Sequence, residues 1–65
     1  MNPKNNNKVS VSEFLSFIEL LDNYTKQFKQ FDNKDYATYY YVGNKLCAVH
    51  YVDYASGEHL YYVRY

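Results

Sequence analysis

Apolar positions change their period near the middle of this chain. Phe14, Phe17, Ile18, Leu21, Tyr24 (or Thr25) and Phe28 recur every three or four residues, the spacing of one helix face. Ser10 and Glu13 stand at capping-box spacing, with Val9 and Phe14 at the two positions of a hydrophobic staple and Ser12 as a competing cap. Glu13, Glu19 and Asp22 precede Lys26 and Lys29, an order that complements a helix dipole. Asp22 and Lys26 also stand at i, i+4 spacing for an ion pair. The pattern predicts one amphipathic helix over about residues 10–31. It would end before Asp32-Asn33-Lys34-Asp35, which is turn chemistry. Ahead of the helix, residues 1–8 are polar, asparagine-rich and aperiodic, so they are expected to form a disordered tail to a single small domain over 9–65.

Beyond residue 35 the period falls towards two, and nearly every position is apolar or aromatic. Gly43-Asn44 is a two-residue hairpin signal with glycine first, as a type II′ turn prefers. That register sets Val42 opposite Lys45, Tyr40 opposite Cys47 and Tyr36 opposite Tyr51. Ala55-Ser56-Gly57 reads as a three-residue loop with glycine in the left-handed position. It sets Tyr54 opposite Glu58 and Tyr51 opposite Tyr61. The fold class predicted is therefore α+β: one amphipathic helix followed by a three-stranded antiparallel β-meander.

Alternation sorts the side chains into two faces. Tyr36, Thr38, Tyr40, Val42, Cys47, Val49, Tyr51, Tyr61, Val63 and Tyr65 share the face assigned to the helix. Ala37, Tyr39, Tyr41, Leu46, Ala48, His50, Val52, Tyr54, Leu60 and Tyr62 share the other. One helix covers one face, so the second is an expected interaction surface.

Composition narrows the function. Ten tyrosines among 65 residues favour an interface, because tyrosine joins a rigid apolar body to a polar tip. The formal net charge is zero, and setting aside Lys4 and Lys8 in the tail leaves five basic residues against seven acidic. Direct nucleic-acid binding is not expected from that balance. The single cysteine, Cys47, forms no internal disulfide, and no signal peptide or membrane span is legible. A reducing, cytoplasmic setting is expected.

No catalytic constellation emerges. Cys47 lies mid-strand in an apolar run, which favours an inert thiol. Cys47 and His50 are three apart on a strand and point to opposite faces, and no fourth zinc ligand is evident. His50 reads as a neighbour of tyrosines, and Asp53 as the cross-strand partner of His59. Two glycines fourteen residues apart make no phosphate loop. The expectation is a binding protein with no cofactor, no metal and no catalysis.

The strand pattern carries a resemblance. Tyr39-Tyr40-Tyr41, the run Lys45-Leu46-Cys47-Ala48-Val49-His50-Tyr51-Val52-Asp53, and Leu60-Tyr61 resemble the C-terminal sheet of uracil-DNA glycosylase inhibitors of the staphylococcal and phage type. The resemblance covers about the last 27 residues. It implies a small protein that mimics DNA and blocks the glycosylase stoichiometrically. An apolar slot between helix and sheet would capture the leucine that the enzyme inserts into DNA. Carboxylates near an edge strand and the helix start would stand in for DNA phosphates. Carried onto this chain, the slot residues are Phe17, Ile18, Leu21, Tyr40, Val49 and Tyr51, and the polar contacts are Ser10, Ser12 and Glu13. The chain departs from the family in being less acidic. It also has Val9 where the family's glutamate-serine-apolar motif has glutamate, with Ser10 and Val11 at the other two positions.

Two other readings stay open. A homodimerising adaptor, or a phage-encoded inhibitor of another host protein, would use Tyr39, Tyr41, Val52, Tyr54 and Tyr62. A single-stranded nucleic-acid binder would stack bases on the tyrosines, but only Lys45 and Arg64 flank the sheet.

Overall fold

The computed structural model describes residues 7–64. Six elements follow in order: β1 (Asn7–Val9), α1 (Val11–Glu19), β2 (Thr25–Gln30), β3 (Tyr36–Val42), β4 (Lys45–Asp53) and β5 (Glu58–Val63). All five strands join one antiparallel sheet in the order β1-β5-β4-β3-β2. The architecture thus corrects the expected helix plus three-stranded meander. The C-terminal meander is present, and it is flanked by two further strands drawn from segments read as tail and as helix. No described helix is long and apolar enough to cross a membrane.

The helix starts where its caps dictate and stops early. Ser10 is the N-cap, and its Oγ accepts from the Glu13 N–H at 3.2 Å. Val9 packs onto the cluster around Phe14, as a staple requires. At the far end, Leu20 and Leu21 donate to the carbonyls of Phe17 and Ile18 at 3.1 and 3.0 Å. These bonds span three residues and tighten the last turn. Asn23 then takes a left-handed backbone, φ +54°, which asparagine tolerates better than most residues. Tyr24 and Phe28, read as the continuation of the helix stripe, follow this turn instead. Their separation of four satisfies a helical period and a strand period alike. The unpaired edge of β3 decides between them: Lys26 pairs with Tyr40, and Phe28 with Thr38. The expected Asp22–Lys26 helix pair is lost with the helix. Every residue of β2 is exposed, and Lys26 and Lys29 put charge on this edge of the sheet, which discourages edge-to-edge association.

At the other edge, β1 pairs Asn7 with Val63 and Val9 with Tyr61. Asn7 and Lys8, expected in a disordered tail, are therefore strand residues. The rest of that segment lies outside the described residues.

The β3–β4 turn forms as expected, with Gly43 alone of its two central residues at positive φ, +62°. Val42 opposes Lys45 and Tyr41 opposes Leu46, but Tyr40 then opposes Ala48. Cys47 is the extra residue of a β-bulge. The β4–β5 loop also gains a residue. Asp53 opposes Glu58, so the loop is Tyr54-Ala55-Ser56-Gly57, with Gly57 left-handed at φ +75°. The Asp53 carboxylate accepts from Ala55 N–H at 3.0 Å, and the Asp53 carbonyl accepts from Gly57 N–H at 2.7 Å. This aspartate-led turn draws Tyr54 out of the strand.

Each slip of one residue reverses β4 relative to a neighbour. Ala48, His50 and Val52 face the helix side, together with Tyr40 in β3 and Tyr61 and Val63 in β5. Val49 and Tyr51, expected on the helix side, lie on the far face. The core is Phe14, Ala48 and Val63, with Val9, Phe17, Ile18, Tyr40 and Tyr61 packed around it. On the far face, Tyr51 stacks near Phe31, ring centroids 5.8 Å apart, and donates its hydroxyl to Asp35.

Candidate functional site

A band of rings crosses the helix side of the sheet. Phe14 meets Tyr40 edge-on, with centroids 5.6 Å apart at 77°, and Tyr61 at 5.1 Å. Tyr24 continues the band beyond Tyr40 at 5.6 Å, and Phe28 contacts Tyr36 at 5.7 Å. Sequence spacing accounts for the band: 36, 38 and 40 share one face of β3, and 26, 28 and 30 share that face of β2. The helix covers only part of it, because α1 comes closest to β5. Beyond the helix the chain returns to β3, where the Tyr24 ring meets Tyr40.

That end is apolar and open. Leu20 is 83% exposed and Phe28 66% exposed. Half-buried Phe17, Ile18 and Leu21 adjoin Leu20 along the chain, with Tyr24 at the border of exposure. The Lys26 ammonium lies 6.0 Å from the centre of the Tyr40 ring and sets one charged rim. Leu15 and Val11 are also exposed, on the helix flank away from Leu20.

Of the six expected slot residues, Phe17, Ile18 and Tyr40 come together beside Phe14. Leu21 lies just past the helix end and is half-buried. Val49 and Tyr51 are on the opposite face and take no part. Leu20, Tyr24 and Phe28 belong to the surface but were not singled out as site residues. Their signal was present in the helical stripe for Tyr24 and Phe28, whereas Leu20 lay off it.

The polar set is assembled. Ser10, Ser12 and Glu13 are all exposed on the first turn of α1, directly after edge strand β1. The Ser10 hydroxyl is committed to the cap. Of the alternative interface, Tyr39, Tyr41 and Tyr62 lie on the far face of the sheet by alternation. Val52 is on the helix side and buried, and Tyr54 is in the β4–β5 loop with the Lys34 ammonium 5.5 Å from its ring centre.

Two other polar groupings were not foreseen. His59 faces His50 rather than Asp53: His50 Nε2 and His59 Nδ1 lie 2.9 Å apart, and the Tyr61 ring stacks on His50 at 4.6 Å. Burial first, and the charge of His59 second, hold the proton affinity of His50 below the usual imidazole value. Asp35 is buried at the β2–β3 turn and accepts from the Tyr51 hydroxyl, the Tyr54 N–H at 2.9 Å and the Asn33 amide at 3.1 Å. The bond from Tyr51 is the chief cause that keeps the Asp35 carboxyl below its ordinary range, and the same bond pushes the Tyr51 phenol up to about 12. No family model, curated protein or solved structure matches the chain.

Proposed function

We propose that this chain is a non-catalytic protein inhibitor of uracil-DNA glycosylase that acts by DNA mimicry. Its slot is the surface between the end of α1 and strands β2 and β3. The observation that carries this reading is the packing of Phe17 and Ile18 from the helix and Tyr40 from the sheet around the same core cluster, with the exposed Tyr24 ring against Tyr40 at 5.6 Å. A leucine inserted there would leave water on one side and meet aromatic rings on the other. Burying one leucine side chain contributes roughly 1.5–3 kcal/mol.

A second feature supports the reading. Edge strand β1 runs straight into the N-terminus of α1, where Ser10, Ser12 and Glu13 are exposed. An edge strand and helix start carrying a carboxylate are what the resemblance implies for the contact with the enzyme's DNA-binding groove. The Val9 side chain packs on the Phe14 cluster, and Glu13 is the carboxylate nearest this edge along the chain. The partner is a protein, no cofactor takes part, and the setting is cytoplasmic.

The reading is tested by binding to two forms of a bacterial uracil-DNA glycosylase, native and with its DNA-inserting leucine replaced by alanine. Capture of the native enzyme with at least tenfold weaker capture of the variant is expected. Equal capture of both would remove the slot from the mechanism, and no capture of either would remove the function.

The second reading, an adaptor or an inhibitor of another host protein, is favoured by the far face. Tyr39, Tyr41, Val49, Leu60 and Tyr62 are half-buried there, and the one helix among the described residues lies on the other side.

A further inference from the structure

We propose that His50 and His59 form a two-nitrogen site for a divalent late first-row transition-metal ion such as Zn2+ or Ni2+. The two residues occupy neighbouring strands, His50 in β4 and His59 in β5, on the helix-facing side of the sheet. His50 pairs with Tyr61 and His59 with Val52, so the two imidazoles meet on a diagonal across the ladder. Their facing nitrogens, Nε2 of His50 and Nδ1 of His59, are 2.9 Å apart. A tetrahedral ion at about 2.0–2.1 Å from each of two nitrogens needs them about 3.3 Å apart. To admit the ion the pair opens by a few tenths of an ångström and both rings turn, so that the two nitrogen lone pairs, which now face each other, converge on one point.

The surroundings hold the rings for this task. Tyr61 stacks on His50 with centroids 4.6 Å apart and planes 10° apart, and Phe14 lies against the same imidazole at 6.2 Å. The His59 ring is 24° from the plane of His50, and His59 itself is exposed, which leaves an entry path. Neutral imidazoles bind metal. The ion takes the place of the hydrogen between the two rings. The ring that donated it carries its N–H on its other nitrogen instead, so no proton leaves the pair. Among the described residues, no group of three or more His, Cys, Asp or Glu side chains is placed to hold a metal. The remaining coordination positions are thus water, and the site is an open clamp rather than a closed structural centre. Imidazole suits zinc, nickel and copper better than calcium or magnesium, which fixes the class of ion.

The test is a Zn2+ titration of the full chain, followed through the imidazole proton signals in NMR at pH 7.5. The chain holds two histidines, so there are two such residues to watch. Both are expected to move together and to saturate at one equivalent, with affinity at least tenfold weaker at pH 5, where protons compete. In His59→Gln, a change at an exposed position that leaves the core intact, the His50 signal should need at least tenfold more zinc. Separate midpoints for the two rings, no movement of either at millimolar zinc, or an unchanged His50 midpoint in His59→Gln would each overturn the site.

Discussion

Tyr51 donates its hydroxyl hydrogen to Asp35, tying the middle of the sheet to the turn that brings β3 back along β2. The same carboxylate accepts from the Tyr54 N–H at the start of the β4–β5 loop. One buried acid thereby connects two separate turns, and this is the polar keystone of the far face. Asp35→Ala should leave the Tyr51 hydroxyl and the Tyr54 N–H without this acceptor and lower the unfolding midpoint by several degrees. Asp35→Asn should fall between the two. Thermal melts of the three proteins at pH 7 measure this.

The same contact sets both limits of pH stability. The Asp35 carboxyl is lowered when folded, so the stability it lends is full above the ordinary carboxylate value and is lost as pH falls through the lowered one. The Tyr51 phenol is raised to about 12, so its share is full below 10 and is lost between 10 and 12. Asp35→Asn should flatten the acid limb. Melting midpoints from pH 2 to 11.5 test both limbs, and ultraviolet titration should find one tyrosine that ionises last.

His50 adds a third dependence, near neutrality. Its proton affinity is lowered, so the stability it contributes is present above pH 6.5 and declines as pH falls below that value. The smaller of its two causes, the charge of His59, predicts that His59→Gln softens the decline without abolishing it. Melts between pH 5 and 7.5 in the absence of metal measure the difference.

Phe14 is the residue on which helix and sheet depend. It is 2% exposed and touches rings from β3, β4 and β5. Phe14→Ala should cost about 3–5 kcal/mol, comparable with the whole stability of a domain of this size. Loss of a cooperative melt is expected, whereas Phe14→Leu should retain one.

Local features of this fold were legible in the sequence, but its five-stranded architecture was not. Ser10 with Glu13, the turn at Gly43-Asn44 and the left-handed Gly57 were readable because each is a local demand of backbone geometry. Strand β2 was not, because Tyr24 and Phe28 fit either period and the partner that decides is distant in sequence. The bulge at Cys47 and the aspartate-led turn at Asp53 each add one residue. Each reverses β4 against a neighbour, which moved Val49 and Tyr51 out of the expected slot and brought His50 against Phe14. Phe17 and Ile18 stayed on the sheet-facing side because they lie within the part of the stripe that remained helical.

The proposed slot surface can be separated from the fold by mutation. Leu20 is 83% exposed, so Leu20→Glu should change stability by no more than about 0.5 kcal/mol. It should weaken glycosylase inhibition at least tenfold by placing a charge in an apolar contact. Tyr62→Ala, on the far face, should leave inhibition unchanged and instead weaken any contact made through that side. Melts and inhibition constants for the two variants form the comparison.

The most direct measurement of the central claim is uracil excision by a bacterial uracil-DNA glycosylase titrated with this protein at low and high salt. Loss of activity at one equivalent, retained at high salt, is the expected result, because burial of an apolar side chain is not screened as exposed charges are. Full excision at excess protein would contradict it.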